Sequence, residues 1–531
     1  MVIQENRTPD NLFGSQQANP GHFFEPGVNL VTAGLNKLDT AHSGKTTLIA
    51  TPMYTCYDLG HQYKDFVAAW DSGGMDGAGQ DQPPPSGICV PPTYAPYAYA
   101  DNGTTTSPTN EVQPYFDIAK QFGFANYMFQ TNQGPSFPAH QFLFSGTSAP
   151  VTDGTSYQTW FASENPQEDG AQAGSPTGCL GDNTTYVTQV TSSGTFPYQE
   201  SSSTTFNAWA PPISGATYGF PCYMHRSIAD VLDPVGVSWR YYTNDKTSLW
   251  TAPNALYEIC PVHSVSGKIY NCPSPQTADW GNVLEENVND TNPGQIFTDI
   301  SQCKLPNVTF VTPDGAWSDH SGGCGAAYPY CASVGPSWVA NLVNNVGQST
   351  CTSGNFLDTV VLITWDDWGG WYDHVKPPQP VSSSLLGYFN STGQNNVYGL
   401  RVPLLVVSAY SPSAGYVSGS WNGQGAAPTT CPLSTPQYCH DFGSILNFIE
   451  YVFGSAGKPL GEISSQYHYA DYLALDGPND PLCTPTQCPY SLADFFNFNH
   501  SNAFTPINVP VRYSVSYFQN YSLPPQPPDN D

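Results

Sequence analysis

Basic charge is what this chain of 531 residues has least of, with 14 Lys and Arg set against 42 Asp and Glu and a net charge of −28. Nucleic acid is excluded as a partner, because phosphate backbones are held by basic patches. The same charge repels an anionic membrane surface, and no polybasic segment offsets it. Long apolar runs are missing as well. None approaches the roughly 20 residues that a membrane helix needs, so no integral membrane segment is expected. No signal peptide is visible. C-x-x-C pairs are absent, which argues against a zinc ribbon. Charged residues of both signs amount to only 11%, so the surface must draw on Ser, Thr, Asn, Gln and Gly. Such an acidic, lysine-poor surface is compatible with an extracellular protein working at low pH.

Core material, by contrast, is plentiful. Hydrophobic residues make up 39% and aromatics 14%, enough for one large α/β domain or for two to four of average size. The 14 cysteines are an even number, and Cys260/Cys272, Cys324/Cys331, Cys431/Cys439 and Cys483/Cys488 are close neighbours. Disulfides between these neighbours are the connectivity expected, although spacing alone leaves others open. They imply an oxidising compartment, extracellular or periplasmic. The start is abrupt. Val2-Ile3-Gln4 reads as the end of a first strand, so a leader and most of that strand are expected to be missing from this sequence.

Along the chain, short apolar strands alternate with helices. Gln113–Phe129 has the spacing of a helix, and His140–Ser145 continues one that begins after Gly134-Pro135-Ser136. Residues 151–215, rich in Ser, Thr and Gly, are expected as surface loops or short strands. A helix is expected at 227–232, strands at 237–242 and 308–311, an amphipathic helix at 337–346, a buried strand at 402–408 and a strongly amphipathic helix at 442–453. This alternation predicts an α/β fold with a mostly parallel sheet. No internal repeat is present, and 522–531 reads as a loose Pro-rich tail.

The most informative stretch is 361–378, VLITWDDWGGWYDHVKPP. A β-branched run ends in Asp366 and Asp367, and a double glycine then lets the chain turn sharply. Neighbouring carboxylates repel, so burying both calls for a cation. Solvated acids capping a strand end are the plainer reading. Glu5 and Asn6 also follow a strand, where they are either oxygen ligands for a hard metal or a helix cap. Ser136 opens a helix, as an N-cap or as a nucleophile beside unpaired N–H groups that cradle phosphate. His61, His320 and His374 complete the set. Asp319-His320 and Asp373-His374 are adjacent pairs that either fix a histidine tautomer for acid/base work or form hydrogen-bonded surface pairs.

In this order the pieces resemble the bacterial phosphoesterase family, which contains phosphatidylcholine-hydrolysing phospholipases C and acid phosphatases. The resemblance is carried by ENRTPDNLFG (5–14), GPSFP (134–138) with SGT (145–147), SDH (318–320) and WDDWGGWYDHV (365–375). His61 with GMDG (74–77), GLRVP (399–403), GYV (415–417) and Asp441–Glu450 add to it. It runs from residue 1 to about 507, nearly the whole chain.

The resemblance implies an alkaline-phosphatase-like fold, a three-layer α/β/α sandwich with a mostly parallel central sheet. It implies one catalytic domain over 1–507 with loop insertions at about 151–215, and a Pro-rich tail over 508–531. By position, Glu5, Asn6, Asp366 and Asp367 would hold one divalent metal ion, with Ser136 as nucleophile. His61 and His320 would bind phosphate oxygens or protonate the leaving group. A further histidine belongs between them, with His263 the nearest candidate. Oxygen ligands favour calcium, magnesium or manganese, and histidine participation would admit zinc or iron.

The chain departs from the family pattern at four places. Asp366-Asp367-Trp368 replaces Asp-Glu-His, and Pro138-Ala139-His140 replaces Pro-Asn-Arg. Asp441-Phe442-Gly443-Ser444 replaces Asp-His-Thr-Ser, leaving His440 as a substitute, and the first strand is short. The expected activity is metal-dependent hydrolysis of a phosphoester, phospholipid or small phosphomonoester, through a phosphoserine. Phospholipase C-like action is favoured over acid phosphatase action. A catalytically inactive extracellular binding protein is the rival from another class. A two-carboxylate glycosidase needs acids about 5 to 10 Å apart across a sugar, which adjacent aspartates do not supply by themselves.

Overall fold

The computed structural model describes residues 1–18, 27–86, 89–102, 112–149, 219–261, 294–322, 334–378, 398–454, 460–465, 469–510 and 513–519, and parts of 160–196 and 263–285. Its centre is an eight-stranded sheet. In chain order the strands are β1 (Val2–Gln4), β2 (Gly123–Ala125), β3 (Trp239–Thr243), β4 (Val283–Glu285), β5 (Val308–Val311), β6 (Val361–Trp365), β7 (Leu404–Val407) and β8 (Tyr416–Ser418). They lie in the order β4-β3-β5-β1-β6-β7-β2-β8. Only β7 pairs antiparallel with its neighbours, so the sheet is mostly parallel and the fold is mixed α/β. Every residue of β1, β6 and β7 is buried. Apolar β-branched runs such as VLITW suit such central strands, which have no solvent face.

Helices pack around the sheet, among them α1 (Gln113–Gln121), α2 (Ser136–Ser145), α3 (Gln295–Ser301), α4 (Gly335–Gly347) and α5 (Phe442–Phe453). Helix α4 packs on α1 and α3, and α2 packs on α5. The helix expected over 113–129 ends at Gln121. Beyond it, Gly123 lies so close to the Phe495 ring that a Cβ would come within 2.7 Å, and Phe124 pairs with Leu405 as β2. The apolar residues after Gly123 belong to strands and not to another helical turn. The strand expected at 402–408 shortens to β7. Pro403 has no N–H for a ladder, and its carbonyl accepts from the Thr364 hydroxyl instead. The helix at 227–232 is one turn, Ala229–Leu232. Residues 513–519 are anchored on α4, where Asn341 Nδ2 donates to the Tyr513 carbonyl and Phe518 is buried.

Six disulfides are formed among the described residues. Cys260–Cys272, Cys431–Cys439 and Cys483–Cys488 are neighbour pairs, as the spacing suggested. Cys56–Cys89, Cys179–Cys222 and Cys303–Cys351 close longer loops. The expected Cys324–Cys331 pair lies outside the described residues. No helix among them is long and apolar enough to cross a membrane. At the starts of β1, β5 and β6 an apolar cavity of about 300 Å³ is lined by Met1, Val2, Val308, Val361, Leu342 and Phe448, among others. The residues singled out above lie at the other end of the strands.

Candidate active site

Register builds the site. β1 and β6 run parallel with Gln4 opposite Trp365, so the next residues of each chain, Glu5-Asn6 and Asp366-Asp367, leave the sheet side by side. Backbone bonds lock them together: Asp366 N donates to the Gln4 carbonyl and Arg7 N to the Asp367 carbonyl. Asp366 Oδ1 then accepts from the backbone N–H of Asn6 at 3.1 Å and of Asp367 at 2.7 Å. The chain turns directly afterwards. Gly369 has φ +59°, and a Cβ there would fall 2.5 Å from the Asn6 carbonyl oxygen. Gly370 has φ +73° and stands equally close to Leu59, in the loop that carries His61. The double glycine is the price of seating two acidic strand ends against a histidine loop.

Helix α2 supplies the serine. Ser136 is its first residue and is fully buried. Its hydroxyl donates to Glu5 Oε2 at 3.2 Å and lies 3.5 Å from Asp367 Oδ2. The open N–H cradle expected there is largely closed. Phe137 N–H donates to Asn165 Oδ1 at 2.8 Å, and Pro138 has no N–H.

His61 is buried, and its Nδ1 faces the Leu59 carbonyl at 2.8 Å while Nε2 faces Asn6 Nδ2 at 3.1 Å. The Asn6 amide nitrogen is thereby turned to His61, and Asn6 Oδ1 has no hydrogen-bond partner among the described residues. Asn6 itself has φ +63°, a left-handed backbone that asparagine tolerates better than most residues. The His320 ring lies 5.7 Å from that of His61 and is the partly exposed member of the group. Trp368 is buried, edge-on to His61 at 6.3 Å, and packs against Phe66.

The adjacent Asp-His pairs do not work as pairs. His320 Nδ1 bonds the Ser321 carbonyl, while Asp319 accepts from the Tyr115 hydroxyl and the Trp365 indole. Burial pushes the Asp319 carboxyl up to about 7, and its carbonyl holds Arg7. Asp319 thus anchors the loop that carries His320. His374 takes its carboxylate from Asp10 at 2.6 Å, and Asp373 binds Arg401 through three contacts of 2.9, 3.0 and 3.2 Å. Asp10, Asp373 and His374 are close enough to resemble a metal cluster, but the Arg401 guanidinium already supplies the positive charge there.

Sequence reasoning missed His140. It is one helical turn after Ser136 and therefore on the same face of α2. Its Nε2 lies 3.2 Å from Glu5 Oε1 and 3.7 Å from Asp366 Oδ2. Glu5, His140 and Asp366 each place one ligand atom within 4.8 Å of the others, all buried. Burial pushes the His140 pKa down to about 4, against the opposing pull of Asp366. Asp366 Oδ2, like Asn6 Oδ1, has no hydrogen-bond partner among the described residues. Two orphaned oxygens beside further carboxylates are a donor set that fits a divalent cation. His440, the suggested substitute, bonds Asp476 and Ser418 instead, and the side chain of His263 lies outside the description.

A model of the Phosphoesterase family matches residues 1–455. The chain belongs to that family. It is similar to phospholipase C B of Mycobacterium tuberculosis, 24% identical over 200 residues, 36% of this chain and 35% of that protein. It is also similar to the non-hemolytic phospholipase C of Burkholderia pseudomallei, 25% identical over 273 residues, 46% of this chain and 33% of the relative. The chain therefore matches about a third of the length of these curated relatives.

Proposed function

We propose that this chain is a secreted or periplasmic, metal-dependent hydrolase of phosphoric esters with Ser136 as nucleophile, acting as a phospholipase C-like diesterase. One observation carries the reading: Glu5, Asn6, Asp366 and Asp367 leave paired strands together, with the Ser136 hydroxyl 3.2 Å from Glu5 and 3.5 Å from Asp367. These four residues would hold one divalent ion: calcium, magnesium, manganese, zinc or iron. Such an ion supplies a lowered hydroxyl pKa at Ser136 and draws charge from phosphorus.

Ser136, fixed at the first position of α2, attacks phosphorus. The Oγ–P bond forms as the bond to the alcohol oxygen breaks, and water then cleaves the phosphoserine. His320, whose ring lies 5.7 Å from that of His61, would give the departing alcohol its proton, and His61, which meets the Asn6 amide nitrogen, would orient the Asn6 amide oxygen for the ion. The architecture proposed with this function is the alkaline-phosphatase-like α/β/α sandwich, one catalytic domain over 1–507 followed by the tail.

The choice of a diester follows the names of the relatives. The net charge of −28 favours a second reading, an acid phosphatase acting on small phosphomonoesters, because it repels anionic lipid. An inactive binding protein would have no need of buried, unpartnered ligand oxygens. Turnover of a chromogenic phosphocholine diester and of a chromogenic phosphomonoester, each with and without chelator, tests all three. The diester should be the faster substrate, and chelator or Ser136→Ala should abolish both activities. Monoester preference selects the phosphatase, and unchanged rates in Ser136→Ala would sink the nucleophile assignment.

A further inference from the structure

We propose that His140 is a nitrogen ligand of the ion held by the acidic strand ends, and that it biases the site toward zinc or ferrous iron and away from calcium and magnesium. The inference rests on the metal-dependent reading above, and goes beyond it by adding a ligand and selecting an ion class.

Hydrogen positions decide what His140 presents to the strand ends. The Tyr241 hydroxyl donates its single proton to the Trp250 carbonyl at 2.7 Å. Toward His140 Nδ1, 3.2 Å away, the same oxygen can therefore only accept. Nδ1 must carry the proton, and a neutral His140 presents the lone pair of Nε2. That lone pair faces Glu5 Oε1 at 3.2 Å and Asp366 Oδ2 at 3.7 Å, and the latter oxygen has no hydrogen-bond partner among the described residues. Three electron-rich atoms turned toward one another in a buried site are satisfied by a cation placed among them.

The surroundings match those of metal-bound imidazoles. The far nitrogen of such a histidine donates to a fixed acceptor that sets tautomer and ring angle. Here that acceptor is Tyr241, itself fixed by Trp250. His140 stands on an unbroken helix of ten residues, one turn from Ser136, so ligand and nucleophile move as one body. Imidazole raises affinity for zinc and iron, whereas calcium and magnesium prefer oxygen.

The test uses the full chain, stripped of metal by chelator. Zinc affinity is measured by competition, calcium and magnesium affinity by titration, and cobalt(II) serves as a visible-absorption probe. Wild type should bind zinc at least about tenfold more tightly than His140→Gln. The cobalt spectrum should change in that variant, while calcium and magnesium affinities stay within about threefold. X-ray absorption of zinc-loaded wild type, which needs no variant, should show an imidazole nitrogen at about 2.0–2.1 Å. Equal zinc affinity and an unchanged cobalt spectrum in His140→Gln, or an oxygen-only shell in wild type, would overturn ligation by His140 while leaving the metal site standing. If wild type binds none of these ions, the metal-dependent reading falls and the inference with it.

Discussion

Replacing Asp366 by asparagine should have opposite consequences for the chelated and the metal-loaded protein. Asp366 Oδ1 already accepts two backbone N–H bonds, and an asparagine oxygen keeps both. The change falls at the second atom, where an unpartnered oxygen 3.7 Å from His140 Nε2 becomes an NH₂ facing a lone pair. At 3.7 Å that contact is longer than a hydrogen bond, so its gain is under about 1 kcal/mol. Removing one of several neighbouring buried carboxylates relieves repulsion of similar or larger size. Without an ion, Asp366→Asn is therefore expected to be about 1 to 3 kcal/mol more stable than wild type. An ion at 100 times its dissociation constant stabilises wild type by about 2.7 kcal/mol, and the variant, lacking a charged ligand, should lose most of that gain. For a chain of this length 1 kcal/mol corresponds to about 1 °C in Tm. Calorimetry should then find the chelated variant 1 to 3 °C above wild type, roughly, and a metal-induced rise of about 2 to 3 °C in wild type alone. A variant that melts lower than wild type by the same margin with and without metal would refute the reasoning, since Asp366 would then be an ordinary structural acid.

Stability in chelator should also fall between pH 6.5 and 8. Burial raises the carboxyls of Asp319 and Asp441 to about 7 and that of Glu164 to about 8. A carboxyl raised in the folded state binds its proton more tightly there, so it stabilises at low pH and the benefit is lost as pH passes the folded value. The buried His225, lowered to about 4, acts in the opposite sense only below about 6.5, where its unfolded form protonates. Summed over this window the three carboxyls contribute a loss of about 3 kcal/mol, and urea midpoints that stay flat or rise from pH 6.5 to 8 would contradict it. Arg401→Ala should cost about 3 to 5 kcal/mol, because Asp373 and Asp10 would keep their buried charges without the guanidinium and the carbonyls of Asn29 and Asn126 would lose a donor. A drop under about 1 kcal/mol in urea unfolding would show that these carboxyls are protonated in the native state.

How far the fold could be read from sequence depended on whether periodicity and burial agreed. Val361–Trp365 is buried at every position and apolar at all but Thr364, because it is central and covered on both faces, and Phe442–Phe453 carries an apolar stripe because one face meets α2. Gln113–Phe129 misled because its apolar residues serve two elements in turn. Phe122 and Phe124 extend the helical spacing of 113–121 into β2, and the contact of Gly123 with the Phe495 ring, distant in sequence, separates the two elements. The longer disulfides escaped for the same reason, since Cys303 and Cys351 are brought together by packing and not by spacing.

Within the site, the legible residues were those joined by backbone. Glu5-Asn6 and Asp366-Asp367 are adjacent pairs after strands, and a single parallel register is enough to unite them. The histidines were harder, because none of them pairs with the aspartate beside it: His374 takes Asp10, His320 the carbonyl of Ser321, and His61 the carbonyl of Leu59 and the amide of Asn6. His140 was the hardest. Read against the family's Pro-Asn-Arg, it looks like the loss of a substrate contact, and only the fourfold spacing from Ser136 hints that it faces the same point. Its meaning depends on Tyr241, on a strand about a hundred residues away, whose bond to Trp250 fixes which nitrogen carries the proton. The two departures from the family then join in one account. Trp368 fills with an apolar ring the position where the pattern has histidine, and His140 returns an imidazole to the acidic strand ends from the helix that carries Ser136. A Trp368→His, His140→Asn double variant should therefore recover part of the zinc affinity that His140→Asn loses; no recovery would mean that the two positions do not serve one ion.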